Sequence, residues 1–372
     1  EFTEKWRKII INVTRITIKV IQLNQTRVTA ADIAKKLNIS RITVDRVLNN
    51  RGLVSEETKR RVLEMVKELG YQPNRAAKHL AKKTKCCIGV SYIFPDWFRV
   101  QIEQGIQRAF SELKDFGAEI ILLNAPHSAE GQMEQIKEVL PKLDALAIDP
   151  WLPAPLSGFI DELVDGGLPV ATFNIDVPTS KRLFYVGCNY IQSGRLCGEL
   201  ITKFSSSPGK VGIITTNDNL THLEQRIMGF REVLSDVSDL KIIEPLKISE
   251  TDERESIDLI KRFITENPEL VALYHDCSNL FLSGVAIKET ANVGKIKLIG
   301  MDMNDMHYQL IQENVVQAVV CQEPYFQGYL PIKLLFNYVA EGEWPEKTEV
   351  STRLEVVIRE NIQYYHNYQP MM

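Results

Sequence analysis

The chain has 372 residues, of which 44% are hydrophobic and 25% charged, a composition typical of folded proteins with a hydrated surface. This length exceeds the roughly 150 residues of one typical domain, so we expect two or three domains. No run approaches the roughly 18 uncharged apolar residues of a membrane-spanning helix, which excludes that class of protein. The apolar run from Ile9 to Val13 is short and interrupted by Asn12, so we expect no secretory signal.

Six cysteines stand at positions 86, 87, 188, 197, 277 and 321, without a CxxC pair and without a metal-ligand spacing to histidine. This usage indicates free thiols in a reducing compartment rather than a disulfide framework. We therefore expect a cytoplasmic protein with no metal and no cofactor.

Charge is distributed unevenly along the chain. Residues 27–85 hold 15 Lys/Arg against 6 Asp/Glu, although the whole chain has a formal net charge of −4. A basic segment joined to a larger acidic remainder is typical of a polyanion-binding head on a separate body. A solvated basic helix face would give the same charge count, so the local pattern has to decide between the two.

The local pattern of the basic segment predicts three short helices. Thr29 and Asp32 form a capping-box spacing before the first, Ser40 is an N-cap for a second that runs to about Leu48, and Ser55 caps a third. A helix, a three-residue turn and another short helix have the spacing of a helix-turn-helix unit. In such units the first turn of the second helix meets the base edges of the DNA major groove.

Residues 28–83, VTAADIAKKLNISRITVDRVLNNRGLVSEETKRRVLEMVKELGYQPNRAAKHLAKK, closely resemble the head of the lactose-repressor (LacI/GalR) family of bacterial transcription regulators. The resemblance implies a helix-turn-helix domain over 27–72 and a hinge over 73–85 that becomes helical on DNA and inserts a leucine into the minor groove. Ile42 departs from the polar residue often found at its position. The implied DNA contacts are Ser40, Arg41, Ile42, Thr43, Arg46, Asn49, Arg75 and the inserted Leu80. Residues 1–26 match nothing in the family, and we assign this extension no role.

From residue 86 onward, short apolar runs alternate with helical patterns. The runs are 88–94, 118–123, 145–149, 169–174, 184–187, 211–215, 241–248, 271–274, 297–301 and 316–321, with helical patterns such as 101–116, 193–204 and 223–234 between them. This alternation predicts parallel sheets with right-handed crossovers, and about ten strands suit two lobes better than one sheet.

The body resembles the effector domain of the same family, which has the two-lobed fold of periplasmic sugar-binding proteins. The fold class we expect is thus a small all-α helix-turn-helix head and an α/β two-lobed body with parallel sheets. The resemblance implies that the chain crosses between lobes three times, near Cys188, Gln322 and Ser351. Lobe 1 then spans about 86–188 and 323–351, and lobe 2 spans about 189–322 and 352–372.

Ligands of such sheets bind beyond the carboxyl ends of the strands. Residues at those ends that have polar or aromatic side chains are Asp96, Trp97, Phe98, Arg99, Asp149, Asn174, Asp176, Glu224, Arg226, Ser278, Asp302 and Gln322. By resemblance to ribose-type binding proteins, Asp302 and Gln322 match sugar-binding positions and Phe98 a stacking aromatic. Ile175, Glu224 and Arg99 depart from that pattern. The excess of carboxylates favours a neutral sugar or polyol over a phosphosugar, and leaves an amino-bearing ligand open.

The favoured function is a DNA-binding transcription regulator, most often a repressor in this family. It would act as a homodimer on a pseudo-palindromic operator and respond to a small sugar-like effector. One alternative is a solute-binding receptor for sugar uptake, and another is a sugar-modifying enzyme with a regulatory head. Nucleotide-binding, hydrolase and metalloprotease motifs are missing from the sequence, and its six histidines pair with no nucleophile at a recognisable spacing, so we expect no enzyme.

Overall fold

The chain divides into two units, residues 1–78 and 79–372, which are described separately. The structure, a computed structural model, describes residues 28–48, 52, 54–69, 85–125, 127–216, 220–249 and 252–365. In the first unit these residues form three helices, and in the second they form a two-lobed α/β body. The predicted fold class is therefore confirmed for both units.

The head consists of α1 (Ala30–Leu37), α2 (Arg41–Leu48) and α3 (Glu56–Glu68). The Thr29 side chain accepts a hydrogen bond from the backbone N–H of Asp32, and the Asp32 carboxylate accepts one from the N–H of Thr29 at 2.8 Å. The predicted capping box is thus present, and Ser55 caps α3 as predicted. Ile33, Val44 and Val62, one from each helix, are fully buried and form the centre of a small core.

Lobe 1 is built on a six-stranded parallel sheet in the order β12-β5-β4-β3-β1-β2. Its strands are β1 (Cys86–Tyr92), β2 (Ala118–Asn124), β3 (Ala145–Ile148), β4 (Val170–Phe173), β5 (Phe184–Gly187) and β12 (Glu349–Ser351). Its helices are α4 (Asp96–Leu113), α5 (Ala129–Val139), α6 (Pro153–Asp165) and α12 (Pro324–Phe336). The central strands are continuous apolar runs because helices cover both faces of the sheet.

Lobe 2 is built on a seven-stranded sheet in the order β13-β11-β10-β9-β6-β7, with β8 also paired to β6. Its strands are β6 (Gly209–Thr216), β7 (Leu240–Ile242), β8 (Leu246–Ile248), β9 (Leu270–His275), β10 (Lys297–Met301), β11 (Val316–Cys321) and β13 (Glu355–Val357). Its helices are α7 (Tyr190–Phe204), α8 (Thr221–Leu234), α9 (Glu253–Glu266), α10 (Leu280–Glu289) and α11 (Asp305–Gln312).

Three features of the body differ from the sequence prediction. Strand β13 pairs antiparallel with β11, so the second sheet is mixed rather than wholly parallel. The single predicted run 241–248 is two short strands, β7 and β8, and the edge strands β12 and β13 were not predicted. Three-residue edge strands form too short an apolar pattern to be recognised. Helix α4 begins at Asp96, directly after Pro95 and five residues before the predicted start.

The chain passes between the two sheets three times, and each passage lies at the end of a strand. It leaves lobe 1 after β5, returns after β11, and leaves again after β12. Hydrogen bonds tie the three passages together. The Thr352 hydroxyl donates to the backbone oxygen of Gln322 at 2.9 Å, and the Cys188 thiol lies 3.4 Å from Gln322 Oε1. A change in the angle between the lobes therefore has to alter the contacts around Gln322.

Candidate nucleic-acid interface and ligand site

The outward face of α2 carries side chains that the sequence assigns to DNA. Arg41, Ile42 and Arg46 are exposed, and Ile42 leaves 63% of its surface in solvent. Val44 and Val47, on the opposite face, are buried against the other two helices. Arginine grips guanine in the major groove, and an apolar side chain contacts the thymine methyl group. This face can therefore read base edges.

The first turn of α2 is preformed by its own cap. The Ser40 hydroxyl accepts from the backbone N–H of Thr43 at 3.1 Å, and the two hydroxyl oxygens are 2.8 Å apart. Arg41 lies 3.8 Å from Asp45 in an exposed pair, which contributes little to stability and leaves the guanidinium available. The predicted contacts Asn49, Arg75 and Leu80, the hinge and the N-terminal extension lie outside the described residues.

We expect Arg46→Ala to weaken operator binding by about 1–3 kcal/mol and to relax specificity at one base pair, because a bidentate arginine contact is lost. Fluorescence anisotropy at fixed salt, with DNA selected in vitro from a random pool, measures both effects. Arg254→Ala, on α9 of the other unit, removes the same charge and serves as the control. Unchanged affinity and specificity for Arg46→Ala would contradict the assignment of α2 as the reading helix.

In lobe 1, a buried carboxylate lies directly after β3. Asp149 accepts from the side-chain amide of Asn174 at 3.0 Å and from the backbone N–H of Ile175 at 3.3 Å. Burial raises the pKa of Asp149 to about 7, although these hydrogen bonds act in the opposite direction. Tyr190, the first residue of α7 in lobe 2, donates to the backbone oxygen of Asn174 at 2.6 Å and so links the lobes.

In lobe 2, Arg226 projects from α8 toward Tyr190 and is 5% exposed. We call this buried contact region between the lobes the polar junction. Its guanidinium lies 5.0 Å from the ring centre of Tyr190 and donates through Nη1 to the backbone oxygen of Asp276 at 3.2 Å. The Asp276 carboxylate accepts from the Tyr274 hydroxyl at 2.8 Å. Burial raises the pKa of Asp276 to about 7, and the charge of Arg226 moderates the shift.

Two buried polar atoms at this junction lack a hydrogen-bond partner among the described residues: Arg226 Nε, a donor, and Asp276 Oδ2, an acceptor. Buried polar groups are nearly always hydrogen-bonded, and a group left unsatisfied costs about 1–3 kcal/mol. A ligand or an ordered water that offers one acceptor and one donor would satisfy both atoms.

Asp302 and Gln322 lie together at the ends of β10 and β11. The Gln322 amide donates to Asp302 Oδ2 at 2.8 Å, and burial raises the pKa of Asp302 to about 6. Asn174 and Asp302 both have a φ of 56°, in the left-handed region that side chains other than glycine seldom adopt. Such backbone conformations recur where a fold presents side chains to a ligand.

A pocket of about 320 Å³ opens between the lobes next to Asp302. Lobe 1 contributes side chains of α4 and the start of α12, and lobe 2 contributes the segment after β10 together with β13. The volume lies at the lower end of the range of small-molecule sites. We call this the interlobe pocket, and its walls are Trp97, Val100, Gln101, Gln104, Asp302, Met303, Asn304, Asp305, Tyr308, Cys321, Glu323, Pro324, Tyr325, Glu355 and Tyr365.

Of the twelve ligand candidates, the structure brings Asp149, Asn174, Arg226, Asp302 and Gln322 into the polar junction, and Trp97 and Asp302 into the interlobe pocket. Sequence reasoning gave no role to Tyr190 or Tyr274, whose hydroxyls organise the junction. Their positions beside strand ends were a signal, but tyrosines at such positions are common in cores. Asp276, directly after β9, is a further junction residue that was not among the twelve candidates.

Other candidates are placed away from the junction. Phe98 is buried in the lobe 1 core with its ring centre 5.0 Å from that of Phe94, which explains its aromatic character by packing. Asp176 forms a two-pronged pair with Arg182, with Oδ2 accepting from Nη2 at 2.6 Å. Glu224 is exposed on α8.

Two further candidates, Asp96 and Arg99, form an ion pair at 2.8 Å on α4. Arg99 also pairs with Glu103 at 3.0 Å, so its charge is already neutralised. Ser278 is half-buried after β9. The structure therefore gives Arg226, rather than Arg99, the place of the cation at the lobe junction.

One histidine lies next to a thiol and a hydroxyl in the structure. His275 Nε2 lies 3.1 Å from the Cys277 sulfur, and its Nδ1 lies 2.7 Å from the Ser283 hydroxyl. The three residues lie close in space because the turn after β9 meets the first turn of α10. All three are buried, Cys277 being 3% exposed. Within the described residues, no three His, Cys, Asp or Glu side chains are grouped to hold a metal ion.

We expect unfolding of the effector unit to be pH-dependent through Asp149 and Asp276. Their folded pKa of about 7 lies above the unfolded value of about 3.9, so the folded state binds extra protons and stability falls as pH rises through 7. Lowering the pH from 8 to 6.5 should add at most about 1 kcal/mol per carboxyl. Below pH 6.5 the buried His275 and His307, whose pKa values burial lowers to about 3 and 4, act in the opposite direction.

Urea unfolding between pH 6.5 and 8 measures this dependence. Asp149→Asn keeps the shape of the side chain and should flatten the slope. A slope that is flat in the unaltered protein, or identical in the variant, would contradict the assignment.

Two α/β lobes joined by three passages, with a polar junction and a pocket between them, define a two-lobed ligand-binding protein, and the chain also has a three-helix head. A family model described as periplasmic binding protein domain matches residues 89–343, and one described as bacterial regulatory proteins, lacI family, matches residues 29–74. The body belongs to the periplasmic binding protein domain family and the head matches the lacI family of bacterial regulatory proteins, so the chain is a DNA-binding transcription regulator with a periplasmic-binding-protein-like body.

Curated relatives are similar over most of the chain. The HTH-type transcriptional regulator AscG of Escherichia coli is 26% identical over 74% of this chain and 82% of its own length. The ribose operon repressor of Halalkalibacterium halodurans is 23% identical over 89% of this chain and 96% of its own. These relatives are transcription regulators and not enzymes. Among the described residues, no helix is long and apolar enough to cross a membrane.

Solved structures share the fold of the body. A glucose-galactose binding protein from Geobacillus stearothermophilus, GanP, superposes with a TM-score of 0.67 at 22% identity, over 75% of this chain and 99% of its own. A putative LacI transcriptional regulator from Bacteroides fragilis gives a TM-score of 0.69 at 19% identity, over 76% of this chain and 100% of its own.

Proposed function

We propose that this protein is a repressor whose effector is a sugar or polyol without a phosphate group, bound at the junction of the two lobes. The observation that carries the proposal is the pair of unsatisfied buried atoms, Arg226 Nε and Asp276 Oδ2. A hydroxyl group accepts from the guanidinium and donates to the carboxylate, so neighbouring hydroxyls of one sugar ring would satisfy both.

The charges at the junction support a ligand without an anionic group. Asp149, Asp276 and Asp302 are buried there with Arg226 as the buried cation. A phosphate would meet more negative than positive charge in a poorly screened environment. The names of the relatives agree, since they include ribose and sucrose operon repressors.

The Asp302–Gln322 hydrogen bond would couple the ligand to the lobe angle. Asp302 faces the pocket, and Gln322 lies where the three passages between the lobes are tied together. A ligand that binds one lobe angle better shifts the population toward it, and coupling to DNA affinity is reciprocal. The proposed division of the chain is a DNA-binding domain over 27–72, a hinge over 73–85 and the two-lobed effector domain over 86–372.

The finer proposals are a homodimer, a pseudo-palindromic operator, action in the cytoplasm where the DNA lies, and no catalytic activity. Two-fold symmetry of a dimer requires two-fold symmetry of its site. The absence of nucleotide-binding, hydrolase and metalloprotease motifs from the sequence supports a non-enzymatic body. Sedimentation of the protein with and without operator DNA tests the dimer.

A thermal-shift screen of the full chain against neutral sugars, polyols and sugar phosphates tests the effector class. We expect a selective rise in the unfolding temperature for a sugar or polyol, followed by release of operator DNA in an anisotropy assay with that compound. A response confined to sugar phosphates would overturn the proposal. Turnover of the bound compound would instead favour an enzyme, and ligand binding without any effect on DNA affinity would favour a solute receptor.

A further inference from the structure

The interlobe pocket combines acidic and aromatic side chains. Four carboxylates line it, those of Asp302, Asp305, Glu323 and Glu355, and none of the described residues in its walls is a lysine, arginine or histidine. Four aromatic side chains, Trp97, Tyr308, Tyr325 and Tyr365, complete the walls.

We propose that the effector carries an amino group in addition to its hydroxyls, and that the ammonium occupies this acidic, aromatic-walled pocket. The inference rests on the proposed sugar-binding function and refines the ligand class. An ammonium is attracted both to carboxylates and to the faces of aromatic rings, whereas a hydroxyl group has no charge and interacts more weakly with both.

The carboxylates of the pocket lie near groups that already need a ligand. Asp302, which is 9% exposed, belongs both to the pocket wall and to the polar junction. Asp276, fully buried in that junction, has its Oδ2 atom without a hydrogen-bond partner among the described residues. An amino sugar therefore fits both parts, with hydroxyls in the junction and the ammonium in the pocket.

The contacts of Glu323 and Glu355 leave both carboxylates accessible to a ligand. Glu323 is fixed by the backbone N–H of Arg353, which donates to its Oε2 at 2.7 Å, and in the described part of the chain no side-chain cation forms an ion pair with it. Glu355 is exposed on β13 at the rim of the pocket. An incoming ammonium would relieve the repulsion among these like charges, and a phosphate would increase it.

Isothermal titration of the full chain with matched compounds tests the proposal. The probes are glucose, galactose, mannose and ribose, together with glucosamine, galactosamine and mannosamine and the N-acetyl derivative of each amino sugar. We expect at least one free amine to bind about tenfold or more tightly than its N-acetyl counterpart, with an advantage that shrinks as salt rises.

Variants connect that advantage to the pocket. In Glu323→Gln/Glu355→Gln the affinity ratio of free amine to N-acetyl derivative should fall toward one, because glutamine keeps the shape and the acceptor but loses the charge. Glu138→Gln, an exposed carboxylate on α5 outside the pocket, should keep the ratio. Melting temperatures of both variants show that each is folded.

Two results would overturn the inference and differ in what they leave standing. If each amine and its N-acetyl derivative bind with equal affinity and a neutral sugar also binds, recognition of an amino group is ruled out but a sugar effector is still supported. Failure of every compound of this panel to bind, together with no response to any sugar or polyol in the thermal-shift screen, would overturn the proposed sugar function and this refinement with it.

Discussion

Arg226→Met should reduce affinity for the effector by about 100-fold or more, because a charged hydrogen-bond donor at the lobe junction is lost and its stem volume is kept. The same change should lower the free energy of unfolding by about 3–5 kcal/mol at pH 8, since Asp276 and Asp302 would remain buried without the nearby cation. Titration calorimetry and urea unfolding measure the two effects. Affinity for operator DNA without effector should stay unchanged.

Arg231→Met is the matched control for this prediction, because Arg231 is an exposed arginine on the same helix. It should alter neither ligand affinity nor stability by more than about 0.5 kcal/mol. Lowering the pH to 6.5 should recover part of the stability of Arg226→Met, since protonated carboxyls no longer need a cation. Full effector affinity in Arg226→Met would show that the guanidinium does not contact the ligand.

Gly194→Ala should lower the free energy of unfolding by about 2 kcal/mol or more, because a Cβ at this position would overlap the backbone oxygen of Arg226. Helices α7 and α8 approach each other through Gly194 and Gly229, and neither backbone can withdraw without disturbing the lobe 2 core. Arg226 belongs to the displaced turn, so effector affinity should fall as well.

We expect the opposite effect on stability for Gly158→Ala, because this glycine lies in a helix and an added Cβ there would have no atom within 4 Å. Alanine has the higher helix propensity, so this variant should gain about 0.5–1 kcal/mol. Urea unfolding of both variants decides the case. Equal stability of Gly194→Ala and the unaltered protein would mean that α7 and α8 can separate at no cost.

The head was predictable in detail because its signals are local. The capping residues Thr29 and Ser55, and the spacing between α1 and α2, act over three or four residues, so the sequence alone specifies them. The alternating strands and helices of the body were predictable for the same reason. Short edge strands such as β12 and β13 form only in pairing with distant segments, and their own pattern is too short to indicate them.

The ligand candidates show where local reasoning ends. Strand ends could be located from the sequence, so Asp149, Asn174, Asp302 and Gln322 were found. The sequence did not show which of the charged candidates form ion pairs with neighbouring side chains. Arg99 is neutralised on its own helix, and Asp176 is neutralised by Arg182 six residues later in the chain. Either residue would have been an equally good ligand contact had its partner been elsewhere.

The sequence by itself determined the family resemblance, the capped helices of the head and the alternation of strands and helices along the body, because these depend on patterns within a few residues or on a motif matched from end to end. Only the tertiary structure decided that Arg226, Tyr190 and Asp276 share one junction and that four carboxylates surround one pocket. Those residues are far apart along the chain, and their interactions depend on distance and burial in space, which no local spacing encodes.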